Sequence, residues 1–282
     1  MDYISVMQQD NNIILTGIKN FIPEQVLDCG QCFRWRKNPD LIGGFTGVAH
    51  GHQLEVYIED DGLVLKNTSK DDFDKIWRDY FDLSRNYSEL HLLYSEDVTL
   101  RKAIAHSPGL RLMRQDPWET LVTFILSQNS NIPRIKGMVE LLCENFGDFE
   151  LNHYNFPEPE KLAKLSDDDL APVRSGYRAE YILDAAKKVA EGSLDLKKLN
   201  QDMSCGMPTE EARQALMRVR GVGPKVADCV LLYGFGRVEC YPLDVWMKRV
   251  MAKYYPKGFP ESVADTAGIA QQFLFHYERV NN

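Results

Sequence analysis

No stretch of this chain approaches the roughly 18 consecutive apolar residues that a membrane span requires, so no membrane partner is expected. The opening Met1-Asp2-Tyr3 lacks the basic and apolar pattern of an export signal, which leaves a cytoplasmic protein as the expectation. Cysteine is sparse: Cys29, Cys32, Cys143, Cys205, Cys229 and Cys240 are six in 282 residues. A chain of that length buries a core without covalent staples, so a disulfide scaffold is excluded and reduced thiols are expected. There is no internal repeat and no low-complexity tract. Positive charge is also in short supply. The net charge of −8 speaks against nucleic acid as a partner, because phosphate-binding proteins usually show a basic face. The excess that does exist is local: from Arg213 to Lys257, nine basic residues stand against three acidic ones.

Two kinds of periodicity divide the chain. Ile13, Ile14 and Leu15 form an apolar run, and Leu54, Val56 and Ile58 alternate with polar neighbours. Asp61-Gly62 offers a turn before Leu63 and Leu65, which is the pattern of antiparallel strands. From Ser69 the spacing becomes helical, with Phe73, Ile76, Trp77 and Tyr80 behind a Ser cap, so a helix should cover one sheet face. Beyond about residue 96 the helical period dominates, broken at Ser107-Pro108-Gly109, at Asp116-Pro117 and between Phe156 and Pro159. Asp116 can accept orphan amide bonds and Pro117 fits a first turn. A helix should therefore start there, carry Trp118, Leu121, Val122 and Ile125 on its apolar side, and end near Asn129. The expected fold is α+β: an antiparallel sheet domain over 1–95, then a mostly helical domain over 96–282.

The segment from Ala215 to Val250 carries the chemistry. It reads as helix, tight Gly221-Val222-Gly223 turn, helix, spanning about 208–235. Glycines let a backbone approach a phosphate, and the amides opening the next helix can bind it without reading sequence. A lone Gly-x-Gly is more often an ordinary turn. Here Lys225 follows it, and Pro242-Leu243-Asp244 comes about twenty residues later. The combination resembles the helix-hairpin-helix, Gly/Pro-rich, Asp-terminated superfamily of base-excision DNA glycosylases. The resemblance implies that Lys225 is the nucleophile, Asp244 its acidic partner, and Gly221, Gly223 and Val245 contacts to the DNA backbone. Members with Lys at that position are bifunctional, cutting the glycosidic bond and then nicking the strand. A neutral amine could attack C1′ of the sugar, and the Schiff base so formed permits β-elimination. Asp244 could stabilise positive charge on the sugar as the base leaves, and the same carboxylate could cap a helix.

Within that superfamily the chain looks most like the 8-oxoguanine DNA glycosylases. The motifs are Gly30-Gln31-Cys32-Phe33-Arg34-Trp35, Arg114-Gln115-Asp116-Pro117, Ser127 to Arg134, Gly176-Tyr177-Arg178-Ala179 and Gln271 to Phe275, in that order. The resemblance implies an N-terminal sheet domain, a helix-hairpin-helix domain and duplex DNA holding 8-oxoguanine as the partner. It gives Gly30 the carbonyl that accepts from the N7 proton found on the lesion and absent from guanine. Gln271 would read the Watson–Crick edge, with Phe275 and Cys229 on the two faces of the flipped base. Asn129 and Tyr177 would plug and wedge the duplex, while Arg134 and Arg178 would hydrogen-bond the estranged cytosine. Trp246 departs from the family, where a His contacts phosphate, and Tyr233 stands where an aliphatic residue or Met is expected.

Other readings compete with this one. The endonuclease III branch carries four C-terminal cysteines for an iron–sulfur cluster, and no cysteine follows Cys240. Cys29-x-x-Cys32 has zinc-like spacing without a second pair or His pattern, so no metal is expected. A monovalent cation held by hairpin carbonyls is compatible with the motif. A non-enzymatic DNA-binding module would use the hairpin without needing Lys225 and Asp244 together, and a glycosylase for alkylated bases typically has the Asp and lacks the Lys. A monomer, associated with DNA in the nucleoid or nucleus, is expected.

Overall fold

The computed structural model describes residues 1–60, 62–200 and 206–281. Asp61, half of the expected Asp61-Gly62 turn, and Cys205 lie outside the described residues. Six strands form one sheet: β1 (Ser5–Gln9), β2 (Asn12–Thr16), β3 (Trp35–Lys37), β4 (Phe45–Ala49), β5 (His52–Glu59) and β6 (Gly62–Lys66), in the order β1-β2-β6-β5-β4-β3. The β1–β2, β2–β6, β5–β6 and β3–β4 pairs are antiparallel. Register follows the apolar alternation: Ile13 opposes Leu65, Leu15 opposes Leu63, and Val56 opposes Leu65 from the other side. A slip of one residue would turn this whole set outward, which is why the alternation specifies the pairing.

Ser69 caps the covering helix as its sequence suggests. Its Oγ accepts from the Asp72 amide at 3.1 Å, and the Asp72 carboxylate accepts from the Ser69 amide in return. The helix then opens into one wide π-type turn, Phe73–Trp77, which regular helical spacing does not foretell. Phe73, Trp77, Tyr80 and Phe81 are all buried. Trp77 donates its indole N–H to Thr68 Oγ1 at 2.8 Å, and Trp35 donates to Tyr80 OH at 2.8 Å, so neither ring buries an unpaired donor.

Seven later helices matter for function: α1 (Pro117–Leu126), α2 (Ile132–Phe146), α3 (Arg178–Ala190), α4 (Thr209–Leu216), α5 (Pro224–Phe235), α6 (Val245–Tyr254) and α7 (Ala267–Asn281). No helix among the described residues is long and apolar enough to cross a membrane. Asp116 caps α1, accepting from the Glu119 amide at 2.8 Å. The helix stops at Leu126, ahead of the expected end near Asn129, and Asn129 takes a left-handed backbone with φ +48°. The last strand of the six-stranded sheet ends at Lys66 and helices follow from Lys70, ahead of the expected change near residue 95. The compact units are cut elsewhere: residues 1–47, 52–114 and 238–282 form one, and 48–51 with 115–237 the other.

Long-range bonds explain why the first unit includes both ends of the chain. Tyr94 OH donates to the Thr266 carbonyl at 3.1 Å, and Tyr255 OH donates to Asp97 Oδ1 at 2.7 Å. Ile269, Ala270, Phe273 and Leu274 of α7 are buried. In the second unit α1 packs on α5 at Gly234, where a Cβ would lie 3.1 Å from Pro117 Cα and would push the two helices apart by a few tenths of an ångström.

Candidate active site and nucleic-acid interface

The hairpin between α4 and α5 is seated on α3. The Arg220 amide donates to Asp184 Oδ2 at 2.7 Å, and the Arg220 guanidinium pairs with Glu180 at 2.6 Å. Burial works against ionising Asp184, but the Arg220 amide and Lys188 outweigh it and hold the carboxyl below its usual range. Gly221 has two reasons to be glycine. Its φ is +76°, and a Cβ would fall 2.2 Å from the Tyr181 ring. Tyr181, which the sequence reading did not single out, is therefore the floor of the hairpin. Gly223 precedes Pro224 at the start of α5, and no side chain caps that end. The opening amides of a 12-residue helix are thus available to an anion, and open space lies where a Gly223 Cβ would be.

Lys225 sits at the second position of α5 and is half-buried. Its Nζ lies 5.4 Å from the centre of the Phe124 ring, and Phe124 is stacked on Tyr233 with centroids 5.3 Å apart and planes 8° from parallel. The unexpected Tyr233 is therefore a wall for the ring beside the amine. Cys229 is buried one turn further along α5. Phe124 reads as plain core in the sequence, and nothing local signals its place beside Lys225.

The expected basic stretch is only partly available to a ligand. Arg213 pairs with Asp228 at 2.7 Å, and burial raises the Asp228 carboxyl above its usual range despite that partner. Arg237 is buried and donates to Thr209 Oγ1, the Leu199 carbonyl and the Met207 carbonyl at 2.8, 2.6 and 2.6 Å, tying down the start of α4. Lys248, Arg249, Lys253 and Lys257 remain exposed.

The expected wedge residues gather around one guanidinium. Asn129 is exposed, and Tyr177, at the head of α3, is 52% exposed. Arg178 is 3% exposed and lies 4.6 Å from the centre of the Tyr177 ring. It donates to the Gln128 carbonyl through Nε at 2.9 Å and again through Nη2, to the Asn129 carbonyl at 3.1 Å and to the Ser175 carbonyl at 3.0 Å. Arg134 behaves differently. It is exposed in the first turn of α2, whose cap Asn131 accepts from the Arg134 amide at 3.1 Å.

In the other unit, Gly30 has φ +94°, a conformation that strains any side chain. Its neighbours are fixed from both sides. Gln31 is fully buried, donating to the Val26 and Arg111 carbonyls at 2.9 and 2.7 Å and accepting from the Met113 amide at 2.9 Å. Cys29 accepts from Gln272 of α7 at 3.3 Å, and burial pushes its thiol above its usual range. The thiols of Cys29 and Cys32 donate to the Val26 and Leu27 carbonyls at 3.4 Å each. Arg279 of α7 donates to the Asp28 carbonyl at 3.2 Å and lies 5.9 Å from the centre of the Phe275 ring. These bonds tie Asp28 and Cys29, just before Gly30, to α7, the helix that carries Gln271 and Phe275. Gln271 is 3% exposed, and its Oε1 is buried with no hydrogen-bond partner, an unsatisfied acceptor that folding alone does not account for.

Asp244, in the same unit as Gly30, caps α6 and accepts from the Met247 amide at 2.7 Å. Val245 follows, 65% exposed, and Trp246 is half-buried with the Arg249 guanidinium 5.3 Å from its ring centre. Among the described residues no cluster of three or more His, Cys, Asp or Glu could hold a metal.

Comparisons with known proteins agree along the whole chain. Residues 13–121 match the 8-oxoguanine DNA glycosylase N-terminal domain, and residues 122–262 match the HhH-GPD superfamily of base excision DNA repair proteins. The N-glycosylase/DNA lyase of Saccharomyces cerevisiae is 32% identical over 254 residues, covering 82% of this chain and 67% of that protein. MBOgg1, solved with a low-affinity DNA ligand, is 42% identical with a TM-score of 0.91, covering 100% of this chain and 99% of that one. The Clostridium acetobutylicum 8-oxoguanine glycosylase/lyase, solved with duplex DNA holding cytosine opposite 8-oxoguanine, is 32% identical with a TM-score of 0.91 and full coverage of both chains.

Proposed function

The chain belongs to the 8-oxoguanine DNA glycosylase family of the HhH-GPD base excision repair superfamily, and from that premise we propose that Lys225 is the nucleophile with which it excises 8-oxoguanine and nicks the strand. It is a bifunctional base excision repair enzyme, a glycosylase and lyase. The observation that carries the mechanistic reading is the position of Lys225, half-buried at the uncapped head of α5 directly after the hairpin. A phosphate on those amides would bring the sugar's neighbourhood to the amine.

In this reading the neutral Lys225 amine attacks C1′ and the bond to the lesion's N9 breaks, its electron pair leaving with the base. Loss of the amine proton and opening of the sugar give a Schiff base. Removal of a C2′ proton then expels the 3′ phosphate. Asp244 stabilises the positive charge that develops on the sugar, while the Met247 amide holds the carboxylate in one orientation. Gly30 presents its carbonyl to the lesion's N7–H. The unpaired Gln271 Oε1 supports the reading of a base edge, since a flipped purine would supply its missing donor. Phe275 and Cys229 enclose the base, Asn129 and Tyr177 fill the gap in the duplex, and arginine meets the estranged cytosine. Gly221, Gly223 and Val245 grip the backbone. We assign no iron–sulfur cluster to this reaction, and a monomer suffices for one lesion.

The test is incubation with a duplex holding one 8-oxoguanine opposite cytosine in the presence of borohydride, for the wild type and Lys225→Gln. A covalent adduct is expected in the wild type alone. Base release without an adduct would move the reaction to an Asp-only mechanism, and neither adduct nor release would leave a DNA-binding module.

A further inference from the structure

One cation of α7 reaches both of the elements that the reading above places around the flipped base. Gln271 and Phe275 lie one turn apart on that helix. Gln272 and His276 form a second row beside them, and at about 100° per residue Arg279 falls between Phe275 and Gln272 around the helix. The second row meets the segment that leads into Gly30. Gln272 donates to Cys29 Sγ at 3.3 Å, and Arg279 Nη2 donates to the Asp28 carbonyl at 3.2 Å. Asp28 closes the short helix Pro23–Leu27, and carbonyls at a helix end lack intrahelical partners, so a guanidinium suits that place.

The same guanidinium lies 5.9 Å from the centre of the Phe275 ring. Phe275 is half-buried, and among the described residues no other cation or ring is in contact with it. Gly30 is the softer of the two elements. At φ +94° and with no side chain to pack, it holds its carbonyl in place only as firmly as its neighbours are held. Burial, then the charges of Arg279 and His106, lower the pKa of His276 to about 4, so at neutral pH Arg279 is the one charged side chain among Gln272, His276 and Arg279.

We infer that Arg279 is a positioning residue for base recognition: by binding the Asp28 carbonyl and the Phe275 ring at once, it sets the spacing between the Gly30 carbonyl and the ring that encloses the base. This rests on the 8-oxoguanine glycosylase reading above and deepens it. Arginine suits the task because a planar guanidinium can donate from its edge while its face lies on a ring. A lysine ammonium is a point charge on a flexible stem and holds two partners less rigidly. Gly30 and Phe275 act on the base itself, and Arg279 acts through them.

The experiment compares two reactions of the wild type, Arg279→Ala and Arg279→Lys: single-turnover excision of 8-oxoguanine opposite cytosine, and strand nicking at a preformed abasic site in the same duplex. An abasic site holds no base to enclose, so nicking reports the fold, the grip on DNA and the amine without the reading of the base. Arg279→Ala is expected to slow excision by on the order of 10-fold or more, because the two recognition elements lose their common anchor. Nicking at the abasic site, and affinity for a duplex holding a tetrahydrofuran in place of the lesion, should stay near the wild-type values. Arg279→Lys keeps a donor and a charge, and should recover part of the excision rate. Should Arg279→Ala fail to fold by its melting curve, the ratio of excision to nicking in Arg279→Lys carries the same readout. Unchanged excision overturns the proposal. So does a loss of excision and nicking by the same factor, since a general loss of fold or of DNA binding would produce it. A wild type that releases no 8-oxoguanine removes the parent reading, and the proposal with it.

Discussion

Two buried arginines, one in each compact unit, do opposite work. Arg111 is 0% exposed and pairs with the Asp2 carboxylate, donates to the Asn20 and Asp82 carbonyls at 2.9 and 2.8 Å, and lies 4.3 Å from the centre of the Tyr87 ring. Arg178 is equally buried but faces carbonyls alone, beside two exposed residues. A guanidinium matched by a carboxylate is neutral from outside and staples the first residues of the chain to the rest of its unit. One matched only by carbonyl dipoles keeps its net charge. Burial of an arginine therefore says little until its partners are named.

The largest effect expected from breaking this contrast is on stability. Arg111→Met leaves Asp2 buried without its cation, which costs about 3–5 kcal/mol, read as a lower midpoint in urea unfolding. Adding Asp2→Asn should recover part of it; a double variant no better than the single one would show that the pair does not staple the fold. Next comes Gly30→Ala, which forces a side chain into φ +94° and should lose about 1–3 kcal/mol. Its more telling readout is the ratio of excision rates for 8-oxoguanine and guanine, which should fall as the reading carbonyl shifts. Unchanged discrimination would remove Gly30 from base recognition.

Smaller effects follow from pH. Burial opposes ionisation of Asp2, but bonds from Ser88, the Tyr87 amide and Arg111 outweigh it and hold its carboxyl below the usual range. That stabilisation is present above the unfolded carboxylate's pKa, about 4, and is lost as pH falls through the lower folded value. His276, next to Phe275, runs on a different range. Burial first, then the charges of Arg279 and His106, lower its pKa to about 4. The unfolded chain takes up that proton already near pH 6.5, so stability should decline as pH drops from about 6.5 to 4. His276→Phe should flatten this slope in pH-dependent melting and leave the acid limb below pH 4 in place.

Much of the fold was legible because its cues are short-range. Alternation at Leu54, Val56 and Ile58 and the caps at Ser69 and Asp116 act over two to four residues, and the strands and helices appear where those cues stand. The unit boundaries were not legible. Tyr94 meets Thr266, and Cys29 meets Gln272 across 243 positions, so the ends of the chain join one unit through contacts that no local pattern encodes. The wide turn at Phe73–Trp77 was hidden for a related reason, since four aromatic side chains entering one core override regular helical spacing. In the candidate site, Lys225, Asp244 and the glycines stood out by type and spacing. Phe124, Tyr181 and the pinning role of Gln31 did not, because their meaning lies in what they touch.

By itself the sequence placed the candidate residues: an amine after a glycine hairpin, a carboxylate at an expected helix start, and a glycine opening the Gly30 to Trp35 motif. Those assignments depend on residue type and near neighbours. Only the tertiary structure decided which of two identical side chains, Arg134 or Arg178, is exposed and which is buried. Desolvating a guanidinium is tolerable only where carbonyls or carboxylates from distant segments surround it, and that environment exists only once the chain has folded.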